Sequence, residues 1–343
     1  MDMKVAVVIL NWNGKSFLEK FLPQVMAYNS AYAEVIVADN ASTDDSISFL
    51  QGSYPQVTII RNSMNGGFAK GYNDALKHIK AEYYVLLNSD VEVTPQWIEP
   101  VIELMESDAG IAACQPKIRA YGDREYFEYA GAAGGFIDKY TYPFCRGRIF
   151  DSYERDNGQY DDVREIFWAT GACLFIRSEI FHKVSGFDED FFAHMEEIDL
   201  CWRIKNIGYK IMYCPQSTVF HVGGGTLAKT SPRKTYLNFR NNLLLMCKNH
   251  DPHFFGLKLL ARMVLDGVAG LKFLLSGDVS HFSAVLKAHF SFYGMFGKTM
   301  KKRKELQRQV KHYTTTAIYR KSIVVDYYLR GKKKFSELEE KFF

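Results

Sequence analysis

Short apolar runs alternate with amphipathic stretches along the first part of the chain. The amphipathic stretches, at residues 15–28, 43–51 and 69–80, place apolar side chains at helical spacing. The alternation predicts right-handed βαβ units and a parallel sheet with helices on both faces. The predicted strands are apolar or β-branched runs of four to six residues: 5–10, 35–38, 57–60 and 83–87.

The pattern becomes irregular after Gln115 and regains regularity only after about residue 160. Apolar runs at 168–177 and 210–213 then predict two further strands, and helical spacing predicts a helix over 196–206. Ser42, followed three residues later by Asp45, predicts a helix start of the capping-box kind. Because no repeat or low-complexity linker interrupts residues 1–250, we expect them to form one domain.

Residues 251–343 form a second region, predicted to be helical and basic. Four charges on one helical face interrupt the apolar stretch 253–275, which argues against a membrane-spanning helix. An amphipathic helix that lies in a membrane interface fits this stretch better. The spacing of apolar residues over 282–296 predicts a second such helix. A helical hairpin that packs on the domain, or that forms a dimer, is the alternative. The interrupting charges are Lys258, Arg262, Asp266 and Lys272.

Charge is distributed unevenly between the two regions. Residues 298–343 contain 14 Lys and Arg against 5 Asp and Glu, a local charge of +9, whereas residues 1–297 carry −5. A basic tail is typical of proteins that bind nucleic acid or an anionic membrane, but the acidic body argues against a nucleic-acid groove. We therefore expect an anionic membrane surface as a partner, and no nucleic acid.

The remaining composition narrows the class of protein. Hydrophobic residues make up 47% of the chain, which excludes a disordered protein. The six cysteines are scattered without a Cys-x-x-Cys pair, a pattern that favours reduced core thiols over disulfides, zinc or a redox motif. The first residues include no apolar stretch long enough for a secretion signal, so the expected location is cytoplasmic.

The predicted strand 83–87 leads directly into Asn88, Ser89 and Asp90. Ligands of open parallel sheets bind beyond the carboxyl ends of the strands, so Asp90 is expected in the ligand crevice. A carboxylate there can hold a divalent cation against a phosphate group. Asp and Asn also form turns after strands, and this motif alone leaves both interpretations open.

Three further polar clusters fall at the same edge. Asn11 and Trp12 offer amide groups and a flat aromatic face to a nucleobase, and Asp39 can accept from a base imide or a ribose hydroxyl. The glycine-rich segment 65–73 opens a helix whose N–H groups can face a phosphate or ribose. It matches neither the dinucleotide fingerprint nor a phosphate-binding loop. For Asn11 and Asp39, turn formation is the alternative.

Three acids, Glu196, Glu197 and Asp199, stand at the start of the predicted helix 196–206. Acids in a first turn suit the helix dipole, and Asp199 can pair with Arg203 one turn later. That explanation accounts for surface acids but not for their position in an apolar run after Phe192. The pattern indicates that at least one carboxylate points into a crevice as a general base.

With these clusters in order, the chain resembles the nucleotide-sugar-dependent inverting glycosyltransferases of family 2, which have the GT-A fold. The resemblance implies an α/β fold with a Rossmann-like, mostly parallel mixed sheet, helices on both faces and a C-terminal helical extension. Within that family it resembles the rhamnosyltransferase-like branch that builds surface polysaccharides. The resemblance spans residues 4 to about 249. It rests on eight motifs: Val-Val-Ile-Leu-Asn-Trp-Asn-Gly, Val-Ala-Asp-Asn-Ala-Ser-Thr-Asp, Asn-Gly-Gly-Phe-Ala-x-Gly-x-Asn, Leu-Leu-Asn-Ser-Asp-Val, Thr-Gly-Ala-Cys-Leu-Phe-Ile-Arg, Gly-Phe-Asp-Glu, Glu-Glu-Ile-Asp-Leu-Cys-Trp-Arg and Arg-Asn-Asn.

The resemblance implies transfer of a sugar from dTDP-rhamnose or a UDP-hexose to a hydroxyl of a glycan or lipid-linked glycan, at the inner face of the cell membrane. It implies Mg²⁺ or Mn²⁺ on Asp90, with His221 as a second ligand. Asn88 replaces the family's usual first acid, which lowers the charge on the metal. The nucleotide site that it implies comprises Asn11, Trp12, Asp39, Asn65, Gly67, Asn73, Asn88 and Arg240.

For the general base, the resemblance implies Glu197, with Glu196 as the alternative and Asp199 as a helper or helix support. Two other functions stay open at this point. One is a binding protein with a glycosyltransferase-like domain that has lost catalysis, conceivable because of Asn88. The other is a sugar-phosphate nucleotidyltransferase, although Asn13, Gly14 and Lys15 are too sparse for its Gly- and Arg/Lys-rich loop.

Overall fold

A computed structural model describes residues 3–223 and 231–343. Its strands are β1 (Met3–Asn11), β2 (Ala33–Asp39), β3 (Thr58–Arg61), β4 (Ala81–Asn88), β5 (Val91–Val93), β6 (Ile111–Ala120), β7 (Gly135–Asp138), β8 (Pro143–Cys145), β9 (Arg148–Ile149), β10 (Ser152–Tyr153), β11 (Arg164–Ile166), β12 (Cys173–Arg177), β13 (Lys210–His221) and β14 (Ile318–Tyr319).

The helices are α1 (Lys15–Ala27), α2 (Ser46–Ser53), α3 (Gly67–Leu76), α4 (Glu99–Ser107), α5 (Ser178–Lys183), α6 (Glu196–Asn206), α7 (Pro232–Asn249), α8 (Phe255–Leu275), α9 (Val279–Gln307) and α10 (Ile323–Tyr328). The expected alternation of strands and helices from β1 to β4 is confirmed.

The main sheet is mixed, in the order β11-β13-β6-β12-β4-β1-β2-β3, with β5 paired to β13. Strands β3, β2, β1 and β4 are parallel, and β12 inserts antiparallel between β4 and β6. Successive side chains of β1 enter different cores: Val5 and Val7 pack on one face, and Ala6 and Val8 on the other. A strand that is buried on both faces explains the continuous apolar run in the sequence.

Several predicted boundaries differ from the structure. The strand expected over 168–177 begins at Cys173, and that expected over 210–213 continues to His221 through two register shifts against β6. Helix α2 begins at Ser46, because the Ser42 hydroxyl accepts from the backbone N–H of Asn13 instead of capping the helix. The capping-box prediction is therefore wrong, and the Ser42 hydroxyl instead contacts Asn11 and Asn13 at the end of β1.

The irregular stretch after Gln115 folds into a small second sheet, ordered β10-β9-β8-β7-β14. Strand β14, from the C-terminal region, pairs with β7. Phe335 and Phe343 then pack against Phe136 and Phe144, with their rings tilted or edge-on. The C-terminal residues thus complete a core that begins in the first region, while the domain boundary at residue 250 stays a prediction.

Helix α8 is amphipathic with its charged side inward. Arg262 and Asp266 are buried and form an ion pair of 2.8 Å, and Tyr142 donates to Asp266. The opposite side exposes Leu257, Leu260, Val264, Val268 and Leu271. In the described part of the chain, no helix is both long enough and apolar enough to cross a membrane.

Candidate active site

The ends of β1 and β2 form a hydrogen-bonded pair of buried side chains. Asn11 and Asp39 lie opposite each other in the parallel register, and Asn11 Nδ2 donates to Asp39 Oδ1 at 3.3 Å. The same amide donates to Ser42 Oγ, and the backbone N–H of Ser42 donates to Asp39 Oδ2. Trp12 stands beside this pair, 46% exposed. The cluster therefore joins fixed polar atoms to an accessible aromatic face, as the sequence predicted.

The glycine-rich segment lies next to it but mainly binds protein. Gly67 has a φ of +78°, and a Cβ there would lie 2.6 Å from the Phe192 carbonyl oxygen. Asn65 Oδ1 accepts from Asn40 Nδ2 and from the Gly67 N–H. Asn73 exchanges two hydrogen bonds with the backbone of Phe187, and its expected role at the nucleotide stays a prediction. This segment therefore anchors α3 to the loop that precedes α6.

Asp90 and His221 meet at the end of the sheet. Val91 pairs with His221 across β5 and β13, which places Asp90 Oδ1 3.2 Å from His221 Nε2. On its other side, His221 Nδ1 lies 3.3 Å from Glu128 Oε2. All three side chains are buried. Asn88, on the preceding strand, is half-buried and donates its backbone N–H to Ala172.

The donor set of this cluster suits a divalent cation. A carboxylate oxygen and an imidazole nitrogen converge, and a second carboxylate holds the far imidazole nitrogen, an arrangement common around metal-binding histidines. Burial lowers the pKa of His221, but Glu128 and Asp90 outweigh it and raise the pKa to about 10, so a cation would have to displace the Nε2 proton in order to bind. Among the residues described, no group of three or more His, Cys, Asp or Glu side chains is arranged to hold a metal. The protein would therefore supply two ligands and leave positions for a substrate.

The loop before α6 has an unusual backbone. Phe192, His194 and Met195 all have positive φ angles, of 63°, 69° and 74°. Such conformations cost free energy and persist only when the surroundings impose them. Here Asn241 Nδ2 donates to the carbonyl oxygens of three loop residues, at 2.7 to 2.9 Å: Phe191, Ala193 and His194.

Arg240, expected at the nucleotide, supports the same loop. Its guanidinium donates to the carbonyl oxygens of Asp190 and Phe191, and to the side chain of Asn241. Asn242, the next residue, binds the Thr141 carbonyl and accepts from Arg262. The Arg-Asn-Asn motif of the sequence thus fixes the position at which α6 begins.

Glu196, Glu197 and Asp199 differ sharply in their surroundings. Asp199 is fully buried and binds Arg203, Lys248 and Asn249, so its oxygens are committed to holding α6 in place. Glu196 is buried, and both this burial and the neighbouring Glu197 raise its pKa well above the usual value. For Glu197, burial raises the pKa to about 7, against backbone hydrogen bonds that lower it.

Of these acids only Glu197 lines the large cavity beside the sheet. The cavity has a volume of about 650 Å³ and is also lined by Tyr129, Trp168, His194 and Lys234. A carboxyl group with a pKa close to neutral, at the wall of a cavity, is suited to accept a proton. Glu197 therefore faces the cavity and Glu196 does not, while the assignment of the general base to Glu197 stays a prediction.

Three of the residues around this site were not identified from the sequence. Glu128 lies in the stretch that lacked periodicity, and a single Glu among Gly and Tyr residues gave no signal. Lys234 follows the undescribed residues 224–230, and its position at the cavity depends on α7. Asn241 belongs to the Arg-Asn-Asn motif, but its hydrogen bonds to the loop before α6 depend on the backbone conformation of that loop.

Structural comparison places the fold among glycosyltransferases. GalNAc-T7, solved with UDP, GalNAc and Mn²⁺, superposes with a TM-score of 0.56 at 18% identity, over 71% of this chain but only 47% of that one. The mannosyltransferase PcManGT of Pyrobaculum calidifontis, solved with GDP-Man and Mn²⁺, superposes with a TM-score of 0.53 at 14% identity, over 85% of this chain and 88% of that one. The expected GT-A-like α/β fold with a C-terminal helical extension is confirmed.

The sequence comparisons agree. The model for "Glycosyl transferase family 2" matches residues 6–184. N-acetylglucosaminyl-diphospho-decaprenol L-rhamnosyltransferase of Mycobacterium tuberculosis is 24% identical over 63% of this chain and 75% of its own length. dTDP-rhamnosyl transferase RfbF of Shigella flexneri is 23% identical over 74% of this chain and 83% of its own length. The chain belongs to glycosyl transferase family 2 and is a glycosyltransferase of the hexosyltransferase class.

Proposed function

We propose that the protein is a metal-dependent, inverting glycosyltransferase of surface polysaccharide synthesis. Its donor would be dTDP-rhamnose or a UDP-hexose, and its acceptor a hydroxyl of a glycan or lipid-linked glycan. The names of the rhamnosyltransferase relatives support the donor class. The observation that carries the proposal is the position of Glu197, a carboxyl group with a pKa of about 7 at the wall of the cavity.

The proposed reaction is a single displacement. Glu197 accepts the proton of the acceptor hydroxyl while the hydroxyl oxygen attacks the anomeric carbon of the donor sugar. The bond from that carbon to the diphosphate oxygen breaks, and the nucleoside diphosphate leaves from the opposite face. Attack from the face opposite to the leaving group inverts the configuration of the anomeric carbon.

The leaving diphosphate gains negative charge, which needs a positive partner. The residues that would hold a divalent cation, Mg²⁺ or Mn²⁺, are Asp90 and His221, with Glu128 orienting the imidazole. The cation would neutralise charge on the leaving group. We assign the base and ribose of the nucleotide to Asn11, Asp39 and Trp12, where paired polar atoms adjoin an exposed ring.

We further propose that the enzyme associates peripherally with an anionic membrane at the inner face of the cell membrane. The supporting observation is the outward apolar side of α8, continued on α9 by Leu286, Phe290 and Tyr293. Exposed Lys287, Lys301 and Lys304 lie on α9 and can contact anionic headgroups.

A donor panel tests the proposed function. Purified protein is incubated with dTDP-rhamnose, UDP-glucose, UDP-galactose or UDP-N-acetylglucosamine, with Mn²⁺ or with EDTA, and release of nucleoside diphosphate is measured. We expect slow hydrolysis of one donor that depends on the metal. A protein that has lost catalysis would hydrolyse none, whereas a nucleotidyltransferase would release diphosphate only from a nucleoside triphosphate with a sugar phosphate.

A further inference from the structure

The segment that carries Glu197 has a buried acid at each end. Asp188 precedes the short 3₁₀ helix Glu189–Phe191, and Asp199 lies in the first turn of α6. Between them are the strained loop and Glu197. The side chains of Asp188 and Asp199 are only 8% and 0% exposed. Because buried carboxylates need cationic partners, the residues that neutralise these two acids also restrain the segment 188–199.

One ammonium group of α7 joins the two acids. Lys248 Nζ lies 2.6 Å from Asp188 Oδ2 and 2.9 Å from Asp199 Oδ2, and the Lys248 side chain is itself buried. Burial alone would raise the pKa of Asp188, but Lys248 and Lys302 outweigh it and hold the pKa well below its usual value. Lys248 therefore bridges both ends of the segment 188–199, which limits how far the strained loop can relax.

Helix α9 supplies two further cations to the same segment. Lys302 Nζ lies 2.5 Å from Asp188 Oδ1 and 2.6 Å from Asp190 Oδ2, and Lys298 Nζ lies 2.6 Å from Asp190 Oδ1. The Lys302 side chain is 30% exposed against 60% for Lys298, so solvent and salt screen its contacts less. A helix of the C-terminal region thus holds the first end of the segment that carries Glu197.

We propose that Lys248 and Lys302 are positioning residues for Glu197. Lys248 joins the two ends of the segment 188–199, and Lys302 fixes its first end to α9, so that the Glu197 carboxyl group stays directed into the cavity. Arg240 and Asn241 bind backbone carbonyl groups of the same segment, so the ion pairs are a second set of restraints. This inference rests on the proposed function, in which Glu197 is the base, and it gives α9 a part in the reaction that needs no membrane.

Lys302→Gln tests the restraint from α9. Release of nucleoside diphosphate is measured with Mn²⁺ and without vesicles, on the donor that the panel of dTDP-rhamnose and UDP-sugars identifies; water replaces the acceptor, and Glu197 accepts its proton. We expect kcat to fall about tenfold, since a misplacement of about 1 Å can cost up to about a hundredfold in rate. The KM for the donor should change less than about twofold, because the donor contacts are intact. An unchanged kcat would overturn the inference.

Two further variants control this measurement. Lys302→Arg should keep at least about half of the rate, because a guanidinium group can also bind two carboxylates. Lys210→Gln breaks an ion pair of 2.9 Å with Asp108 at the start of β13 and should keep the rate of the unmodified protein. Equal losses in Lys302→Gln and Lys210→Gln would show that any broken ion pair has this effect, and the positioning role would be wrong.

A double variant separates positioning from a purely structural role. In Glu197→Gln the base is already lost, so adding Lys302→Gln should lower the remaining rate less than about twofold, because two residues that act through one group are not additive. A residue that only stabilises the fold would lower the rate by the same factor with or without Glu197. That second result would contradict the inference.

Lys248→Met removes the bridge between the two ends. Its loss leaves two buried carboxylates without this partner, so we expect a lower melting temperature and a larger loss of kcat than in Lys302→Gln. A folded Lys248→Met protein with a normal kcat would overturn the inference. If this variant does not fold, the Lys302 variants decide the question, because Lys302 is partly exposed and its replacement is tolerated better.

Failure of the inference and failure of the proposed function give different results. A normal rate in Lys302→Gln together with a large loss in Glu197→Gln would remove the positioning role and leave the function standing. A normal rate in Glu197→Gln, or hydrolysis of none of the donors, would overturn the proposed function and with it the inference that rests on it.

Discussion

Asp90 Oδ1 lies 3.2 Å from His221 Nε2, although the two residues are far apart in the sequence. The contact exists because β13 continues past the predicted end at residue 213 and pairs with β5 as far as His221. Glu128, from the irregular stretch, holds the other nitrogen of the imidazole. Together they form the part of the site that most directly predicts metal dependence.

Glu128 provides a test of that arrangement. We expect Glu128→Gln to retain transfer activity at saturating Mn²⁺ but to weaken Mn²⁺ affinity about 10- to 100-fold, because a partner that orients a metal-binding histidine contributes that much. Activity measured against Mn²⁺ concentration after treatment with EDTA checks this. Asp90→Asn should lose most activity at every concentration, and the exposed Asp123→Asn serves as the control. Equal Mn²⁺ affinity in Glu128→Gln and the unmodified enzyme would argue against a metal at His221.

Glu197→Gln should reduce transfer about 10²- to 10⁴-fold, since a general base contributes that much to a rate. Donor binding should be retained, because Gln preserves the shape of the side chain. The matched control is Glu196→Gln. Glu196 is buried and does not line the cavity, so we expect less than a tenfold loss. A normal rate in Glu197→Gln combined with a large loss in Glu196→Gln would move the base to Glu196.

The pH dependence of transfer follows from the pKa of Glu197, which is about 7. Below that pH the carboxyl group holds a proton and cannot accept another, so the rate should fall about tenfold per pH unit. Above it the rate should reach a plateau. The titratable groups that interact with Glu197 are Glu196, Cys145 and Cys201, whose own pKa values are raised, to about 12 for both thiols.

Initial rates from pH 5.5 to 9 at saturating donor, acceptor and Mn²⁺ check the pH dependence. Saturating metal keeps the occupancy of the metal site constant over this range. A rate independent of pH below 7 would show that a different group accepts the proton.

Asn241 holds the strained loop before α6, so its loss should affect both stability and catalysis. We expect Asn241→Ala to lower the free energy of unfolding by about 1–3 kcal/mol, the cost of leaving buried carbonyl groups unpaired. The rate of transfer should also fall, because Glu197 lies in the first turn of the helix that this loop positions. Thermal denaturation and transfer kinetics measure the two effects. Asn238→Ala, one turn earlier on α7, is the control for stability. Loss of stability with an unchanged rate would limit the clamp to a structural role.

The exposed apolar side of α8 predicts binding to membranes. We expect the unmodified protein to co-float with vesicles that contain anionic phospholipid and to bind neutral vesicles less. The double variant Leu260→Glu, Val264→Glu should bind anionic vesicles at least tenfold less, because both side chains are exposed and lie on that side. Neither residue lines the cavity, so donor hydrolysis should be unaffected. Equal flotation of both proteins would assign this surface to another partner.

The strands β1 to β4 and the polar residues at their ends could be predicted from the sequence. Their side chains are buried on both faces, so each strand is a continuous apolar run, and parallel neighbours end at the same edge. Asn11 and Asp39 therefore fall side by side, as expected. The family motifs around Glu196 and Glu197 were equally visible, because they are contiguous in the chain.

Only the tertiary structure shows which of Glu196 and Glu197 faces the cavity. Adjacent residues on a helix point in different directions, and only the packing around α6 determines which direction meets the cavity. The contact of Glu128 with His221 depends in the same way on long-range packing. It joins an irregular segment to a strand that is extended through register shifts, and neither feature has a local pattern.

Helix α8 shows most clearly which features the sequence determined and which the tertiary structure decided. The sequence by itself determined that its charges share one side and its apolar residues another, because helical spacing fixes which residues share a face. Only the tertiary structure decided that the charged side turns inward, since Tyr142 and Asn242 provide hydrogen-bonding partners for Asp266 and Arg262. Periodicity specifies that a helix has two sides, whereas the neighbouring residues determine which of them is buried.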